Sequence, residues 1–450
     1  MAGGEWRRVT LQALLARRAG RTLLDDRTLA ELDSRGRALA FDAVQGVARN
    51  LFLLDTVLRR FLDKPLRSLQ PRVREILRLG VFEILFHERL NVAASVRCNV
   101  DLVGASRPLR GLVNAVLRRV AGSFERLSMD DAFMPRSREI VWVGPGRCLR
   151  FDRPVLPDPM QDPVAHFSHH YSLTRLFVET FLFLLPLEFE FLFRSLDTPR
   201  PPALRPTWKC EGGIPELKRL LSQEGIREVR RRGRVLEIHG AGHLQDLDVL
   251  GKGLAVVQDR CAAEVAPFVG ARPGERVLDL CAAPGGKTLH LAERMRDEGE
   301  VVAADVDADR LRLVEEGARR LSLSCVRTLP LHPGAPELEG ERFDRVLVDV
   351  PCSNTGVLMR KVEARYRVDG EHLESLAGIQ TEVLERGGAC LHPGGTLVYA
   401  TCSILPAENQ LLVRRFLAVH PEFRLLEERL RYPHRTLRDG GYMARMVLEG

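Results

Sequence analysis

The sequence predicts a multidomain chain in which an all-α helical bundle is followed by an α/β domain built on a mainly parallel sheet. Three observations carry that prediction. At 450 residues the chain exceeds what one ordinary core supports, roughly 100–200 residues per domain. Between Trp6 and Ala121, apolar residues return at three- and four-residue spacing. From Ala255 onward, strand-like and helix-like stretches alternate, as they do when parallel strands are joined by crossover helices.

The helical reading of residues 1–122 rests on stretches such as "LLDTVLRRFL" and "VREILRLGVFEILF", with Gly and Pro kept mostly to the joints. Residues 123–162 lose the period in "MDDAFMPRSREIVWVGPGRC" and "FDRPVLPDP" and read as a linker with one short hairpin. Residues 163–254 mix a helical "SLTRLFVETFLFLL", a Pro-rich "DTPRPPALRPTW" and a strand-like "RVLEI". Residues 255–450 carry the alternation: "ERVLDLC", "LHLAERMRDE", "EVVAADV", "RLRLVEEGARRL", "FDRVLVDVP", "QTEVLERGGACL", "GTLVYATC".

Composition narrows the function classes. With 45% hydrophobic and 28% charged residues the chain has the balance of a soluble globular protein. Its 67 Lys and Arg against 60 Asp and Glu give a net charge of +7, a mild lean towards an anionic partner such as RNA. Nine cysteines with no C-x-x-C pair argue against a disulfide scaffold and a thiolate zinc site, and fit a reducing cytoplasm. The greasiest stretch, Leu176 to Phe193, is broken by Glu179, Pro186, Glu188 and Glu190, whereas a bilayer span needs roughly 20 nearly uncharged residues. No secretory signal is evident at the N-terminus.

"LDLCAAPGGKT", Leu278 to Thr288, ends like a phosphate-gripping loop, but Cys281 stands where the first glycine of such a loop belongs. What remains is a strand running into a tight glycine turn and a helix, the place where doubly wound sheets bind ligands. Asp305 ends the next strand, about twenty residues on, where an acid accepts hydrogen bonds from both hydroxyls of a ribose. The loop leaves no room for Cβ atoms and so can lie against a ligand, with Asp279 able to face a ligand amine. A ribose clamp without a triphosphate grip points to S-adenosylmethionine, and spacing alone leaves NAD as the alternative.

Two later strands end in thiols: "RVLVDVPCSNTG" places Asp349 and Cys352, and "GTLVYATCS" places Cys402, at the same carboxyl edge. Most free cysteines are small buried apolar residues, yet a thiolate beside a methyl donor suits attack on a pyrimidine. C5 of cytosine is barely nucleophilic until something adds at C6; a thiolate adding there makes C5 able to take a methyl group, and loss of the C5 proton expels the enzyme. Asp349 can hydrogen-bond the ring near N3 and the exocyclic amine, and a second thiol can assist release.

"LDLCAAPGGKT", "VVAADVDADRL", "VLVDVPCSNTGVL" and "GGTLVYATCSILPAENQ" together resemble, in order and over nearly all of Ala255 to Glu449, the motifs of the RNA cytosine-5 methyltransferases of the Sun superfamily, in the RsmB-type branch that acts on 16S ribosomal RNA. The resemblance implies a Rossmann-like S-adenosylmethionine-dependent methyltransferase domain. It assigns attack to Cys402 and product release to Cys352, an assignment spacing does not make. It carries the cofactor pocket onto Cys281, Ala282, Ala283, Pro284, Gly285, Gly286 and Lys287, onto Asp305 with Arg310, and onto Asp349. One departure stands out: family members usually have Gly-Asp after the third strand, near the adenine, where this chain has "CVRTLPLHPG".

The front half is similar to the NusB-like helical domain that precedes the catalytic part in that branch, with Gly36 in place of a common acid. "PVAHFSHHYSLTRLFVETF" and "PPALRPTW" resemble only loosely the family's S-H-P-x-W and L-R-V-N segments in the pre-catalytic RNA-binding region. Among smaller signals, His169 and His170 lack the spaced partners of a metal site. Arg360, Lys361, Arg365 and Arg367 follow the Asp349 motif and either form a solvated face or hold an RNA backbone, with Tyr366 placed to stack on a base. Glu408 and Asn409 read as caps of the helix after the Cys402 strand.

The expectation is an S-adenosylmethionine-dependent RNA cytosine-5 methyltransferase, cytoplasmic and monomeric, with small-subunit ribosomal RNA as partner and neither metal nor membrane. The alternatives are the same chemistry on transfer RNA and a non-catalytic RNA-binding assembly factor.

Overall fold

The structure, a computed structural model, describes residues 4–18, 29, 32–88, 90–130, 136–198, 200–239, 244–436 and 438–449. It forms two compact units, one of Met1–Thr198 with Leu358–Asp369 and one of Pro199–Val357 with Gly370–Gly450.

The first unit begins with helices Glu5–Arg18, Ser34–Arg49, Leu51–Phe61, Pro71–Phe86, Val92–Asp101 and Arg107–Ala121. Asp33 and Asn91 cap two of them by accepting from Gly36 N and Ala94 N, and Pro71 occupies a first helical turn where its missing N–H costs nothing. Helix Pro71–Phe86 is buried on several faces, as expected of the middle of a bundle. Its Glu83 carboxylate is therefore out of water, and Arg7 neutralises it through bonds of 2.8 and 2.7 Å, with Asn99 adding one of 3.2 Å.

Residues 123–162, expected as a linker with one short hairpin, instead carry a three-stranded antiparallel sheet of β1 (Phe124–Ser128), β2 (Ile140–Gly144) and β3 (Arg147–Phe151) in the order β1-β3-β2. Val141, Val143, Leu149 and Phe151 pack into the same core as the helices. Five-residue strands are too short to show a period among Pro and Gly.

The region taken as one block over 163–254 is divided at Thr198. Its first part, helices Pro163–Tyr171, Arg175–Leu184 and Phe189–Ser195, belongs to the first unit and packs through Phe167, Tyr171, Phe189 and Phe193. The apolar run is thus split by a turn, and among the described residues no helix is long and apolar enough to cross a membrane. His169 bonds Thr56 through its ring, and His170 Nε2 accepts from Trp142 N at 2.9 Å. Burial lowers both pKa values, so both rings serve as neutral structural groups.

The segment Leu358–Asp369, far along the chain, returns to this unit. Arg365 is fully buried, ion-paired with Asp197 at 2.6 Å and donating to the carbonyls of Tyr171 at 3.0 Å and Leu196 at 2.5 Å. The Tyr366 hydroxyl donates to Ala48 O at 2.7 Å, and its ring meets Phe52 edge-on. These two side chains anchor the segment, which corrects the reading that they face RNA; Arg360, Lys361 and Arg367 are exposed.

The second unit opens with β4 (Ala203–Pro206), β5 (Glu228–Arg232), β6 (Val235–His239) and β7 (Ala255–Val257) in a four-stranded sheet ordered β5-β6-β4-β7. Arg205 in "LRPTW" is buried, donating to Gln258 at 2.6 Å and ion-paired with Glu293.

The large sheet comprises β8 (Arg276–Leu280), β9 (Glu300–Asp305), β10 (Val326–Pro330), β11 (Phe343–Asp349), β12 (Leu391–Thr401), β13 (Phe423–Arg431) and β14 (Gly441–Leu448) in the order β10-β9-β8-β11-β12-β14-β13. β8 to β12 run parallel, and β14 lies antiparallel to both β12 and β13. The chain moves outward from β8 through β9 and β10, then returns to β8 with β11. The carboxyl ends of β8 and β11 therefore flank the point of reversal, where doubly wound sheets bind ligands.

Candidate functional site

Two aspartates end the strands at that point. Asp279 on β8 is buried and accepts from the Thr288 hydroxyl at 2.7 Å, while its other oxygen, Oδ1, has no hydrogen-bond partner. Burial, reinforced by the nearby Asp349 charge, pushes its carboxyl up to about 7. Asp349 on β11 is ion-paired with Lys287. Burial acts to lower the Lys287 pKa, but Asp349 outweighs it and the net direction is upward, so Lys287 stays an ammonium.

The loop between β8 and helix Gly286–Arg294 is tied down by its neighbours. Asp305 at the end of β9 accepts from Ala283 N at 3.0 Å and from Asp307 N at 2.9 Å, and Arg310 donates to Ala283 O at 2.8 Å. Cys281 adopts φ 63°, an uncommon conformation for a residue with a side chain. Burial, with the charge of Asp305 next, raises its thiol to about 12, so it remains protonated. Gly285 has φ 98°, and a Cβ there would lie 3.1 Å from Val314 Cα. At Gly286 the nearest atom to an added Cβ is 3.9 Å away, so the expected crowding holds at Gly285 alone.

The two thiols predicted to share an edge do so: Cys352 Sγ and Cys402 Sγ lie 3.2 Å apart. Cys402 also reaches Asn354 Oδ1 at 3.2 Å, and Asn354 Nδ2 returns a bond to Cys352 O at 2.8 Å. Cys352 is buried and Cys402 half-buried. The bond to Cys402 and, after it, burial raise the Cys352 pKa well above that of a free thiol, so Cys352 keeps its proton and can donate it to the Cys402 sulfur. Gly356 follows the same loop because a Cβ there would stand 2.7 Å from Cys402 O and 2.5 Å from Gly440 O; its own N–H donates to Cys402 O at 2.9 Å.

Cys402, Asp349 and Lys287 line one cavity of about 100 Å³ with Asp259, Cys261 and Arg431. Lys287, grouped with the cofactor loop by resemblance, thus faces the same space as the half-buried thiol. After β10, where the family acid is absent, stand Leu331 and His332, the latter paired with Glu337.

The capping reading of Glu408 and Asn409 is overturned. Asn409 precedes helix Gln410–Val419 but makes no side-chain cap bond; it accepts from Thr401 Oγ1 at 2.6 Å and donates to Ser403 O at 3.0 Å. Glu408 is fully buried and accepts from Ser353, Ser403 and Gln380. Sequence reasoning missed this hub; its trace is an acid and two amides, Glu408, Asn409 and Gln410, set within the apolar run Ile404 to Val413. Among the described residues, no group of three or more His, Cys, Asp or Glu could hold a metal ion.

Residues 267–447 match the family model of 16S rRNA methyltransferase RsmB/F, and residues 5–122 match that of the NusB family. The chain is 31% identical over 460 residues to the ribosomal RNA small subunit methyltransferase B of Pseudomonas putida, covering 97% of each chain. It is 30% identical over 409 residues to the probable ribosomal RNA small subunit methyltransferase B of Bacillus subtilis, covering 89% of this chain and 85% of that one. The crystal structure of PH0851 has the same fold, with a TM-score of 0.78, 23% identity, and coverage of 100% of this chain and 99% of the other.

Proposed function

The chain belongs to the RsmB/F family of 16S rRNA methyltransferases, and from that premise we propose that it methylates C5 of a cytosine in small-subunit ribosomal RNA through a covalent bond between Cys402 and C6. The observation that carries this reading is the thiol pair 3.2 Å apart, one member buried and the other open to the cavity that Asp349 and Lys287 line.

S-adenosylmethionine suits the glycine loop on a structural count: Asp279 Oδ1 is buried without a partner, and a ligand ammonium completes it. Backbone groups of Cys281 to Lys287 would hold the cofactor, Asp305 its ribose hydroxyls with Arg310 fixing the loop beside them, and Asp349 its reacting end. When bound it supplies an electrophilic methyl group. Because an acid raised to about 7 must lose its proton to pair with an ammonium, affinity for S-adenosylmethionine is expected to rise with pH, by up to about tenfold per unit below 7, and to stop rising above it, falling again once the ligand ammonium loses its own proton. Calorimetry across that range tests this; a flat profile, or one that survives Asp279→Asn unchanged, removes Asp279 from the cofactor site.

The protein's own residues account for the activation of cytosine. Cys402 gives its proton to solvent and adds as the thiolate to C6, Asp349 accepts from the exocyclic amine, and the Lys287 ammonium stabilises the negative charge that spreads over the ring. C5 then holds the electron pair that accepts the methyl group. As the C5 proton departs to solvent, the C6–S bond breaks and the Cys352 S–H receives the sulfur. The helical unit supplies RNA affinity in this reading, supported by Arg97, Arg110 and Arg118 around an open groove between helices Val92–Asp101 and Arg107–Ala121.

The test is transfer of a labelled methyl group from S-adenosylmethionine to protein-free small-subunit ribosomal RNA, followed by nucleoside mass spectrometry. Label is expected in 5-methylcytidine. Label in transfer RNA instead would move the substrate and keep the chemistry; label in neither, with cofactor bound, would favour an assembly factor.

A further inference from the structure

Glu408 lies in the short turn Pro406–Glu408 after β12, and its carboxylate gathers four donors. They are Ser353 N at 2.8 Å, the Ser353 hydroxyl at 2.5 Å, the Ser403 hydroxyl at 2.5 Å and Gln380 Nε2 at 2.9 Å. Ser353 follows Cys352 and Ser403 follows Cys402, so one carboxylate holds the residue next to each thiol. Gln380, on helix Gly370–Ala389, also donates to Pro351 O at 3.0 Å, and Thr355 Oγ1 lies 2.9 Å from Ser403 Oγ while accepting from Ile404 N at 3.1 Å. None of these side chains lines the cavity beside Cys402. Glu408 therefore acts through others.

We propose that Glu408 is a positioning residue for the thiol pair: by clamping Ser353 and Ser403 on a single carboxylate it sets the separation of Cys352 and Cys402, on which release of the methylated base depends. The inference rests on the covalent reading above. Its chemistry explains the residue type. All four partners donate here, and an ionised carboxylate only accepts; glutamine would keep one acceptor for Ser353 N and Gln380 Nε2 and force the hydroxyls of Ser353 and Ser403, which share the other oxygen, to turn from donor to acceptor. Alanine at Ser353 and Ser403 would remove donors while adding no polar group.

Two readouts on the full-length protein separate positioning from general support. The first is the rate at which diamide closes a Cys352–Cys402 disulfide, followed by mass spectrometry; diamide takes up the two electrons and two protons the thiols lose, so this rate reports sulfur spacing without any RNA. The second is kcat and KM for methyl transfer. Glu408→Gln is expected to lower kcat by roughly 10–100-fold, the range a displacement of about 1 Å produces, and to slow disulfide closure, while cofactor affinity and KM for RNA hold. Glu408→Asp, which keeps the charge, recovers part of both. Wild-type rates in both readouts for Glu408→Gln would overturn the proposal, as would a kcat loss matched by equal loss of cofactor affinity. Should Glu408→Gln fail to fold, Ser353→Ala with Ser403→Ala carries the same test. Failure of the covalent reading has another signature: Cys402→Ala would keep its activity while the disulfide rates still depended on Glu408.

Discussion

Cys402→Ala is expected to abolish methyl transfer, with kcat falling by about 10⁴-fold or more, the scale seen when a covalent nucleophile is deleted. The size follows from the substrate. Without addition at C6 the C5 carbon of cytosine has almost no nucleophilic character, so holding base and cofactor together leaves nothing for the methyl group to join. Of the two sulfurs, Cys402 is the half-buried one and the one on the cavity that Asp349 and Lys287 line. Cys352 cannot stand in, because it is buried and does not line that cavity. Melting temperature and cofactor affinity should be unchanged, since Cys402 sits at the end of β12 and touches none of the groups that fix the glycine loop. Incorporation of label by Cys402→Ala at the wild-type rate would remove the covalent step from the mechanism.

What the sequence showed and what it hid divide along a physical line. Strand-end chemistry was legible: Asp279, Asp305, Asp349, Cys352 and Cys402 all stand at carboxyl ends of the large sheet or in the loops that follow, because alternating β and α stretches fix which strand ends share an edge. The order of strands was legible only as far as parallel pairing goes: β13 follows β12 through helix Gln410–Val419 and runs parallel to it, but β14 inserts antiparallel between the two with no crossover helix by which to read it. Residues whose partners lie far along the chain were misread. Arg365 looks from its neighbours like one of a basic surface group, yet its partner Asp197 is distant in sequence and the pair is buried. Glu408 looks like a helix cap because caps are local, whereas its donors come from its own loop five residues back, from a second loop and from a helix.

The same distinction explains why the roles of the two thiols could not be ranked from spacing. Both follow a strand by a few residues, and both occur beside serine. Only the fold shows that one is buried and the other lines a cavity. In the proposed mechanism, burial and bonding partner, which are properties of the packed state, are what separate the proton holder from the nucleophile.

Cys352→Ala is expected to give the opposite failure: attack proceeds and release does not. Formation of the C6–S bond requires Cys402, and methylation follows it, so the variant should incorporate about one methyl group per enzyme and then stop, with RNA attached to protein. Release requires the Cys402 sulfur to depart with its bonding electrons, and the nearest group able to receive it is the Cys352 S–H at 3.2 Å. Alanine removes that donor and leaves an apolar methyl against the departing charge, which raises the barrier to breaking the C6–S bond. On a denaturing gel the variant incubated with cofactor and small-subunit ribosomal RNA should therefore show a slow-migrating protein band that nuclease digestion collapses. The double variant lacking both thiols should show none, because no bond to C6 forms. Cys352 is nearly enclosed but small, so its truncation should cost little stability and the melting temperature distinguishes a trapped enzyme from an unfolded one. Repeated turnover by Cys352→Ala with no covalent band would mean that the methylated base leaves without a thiol partner, and that the close pairing of the two sulfurs serves some other end.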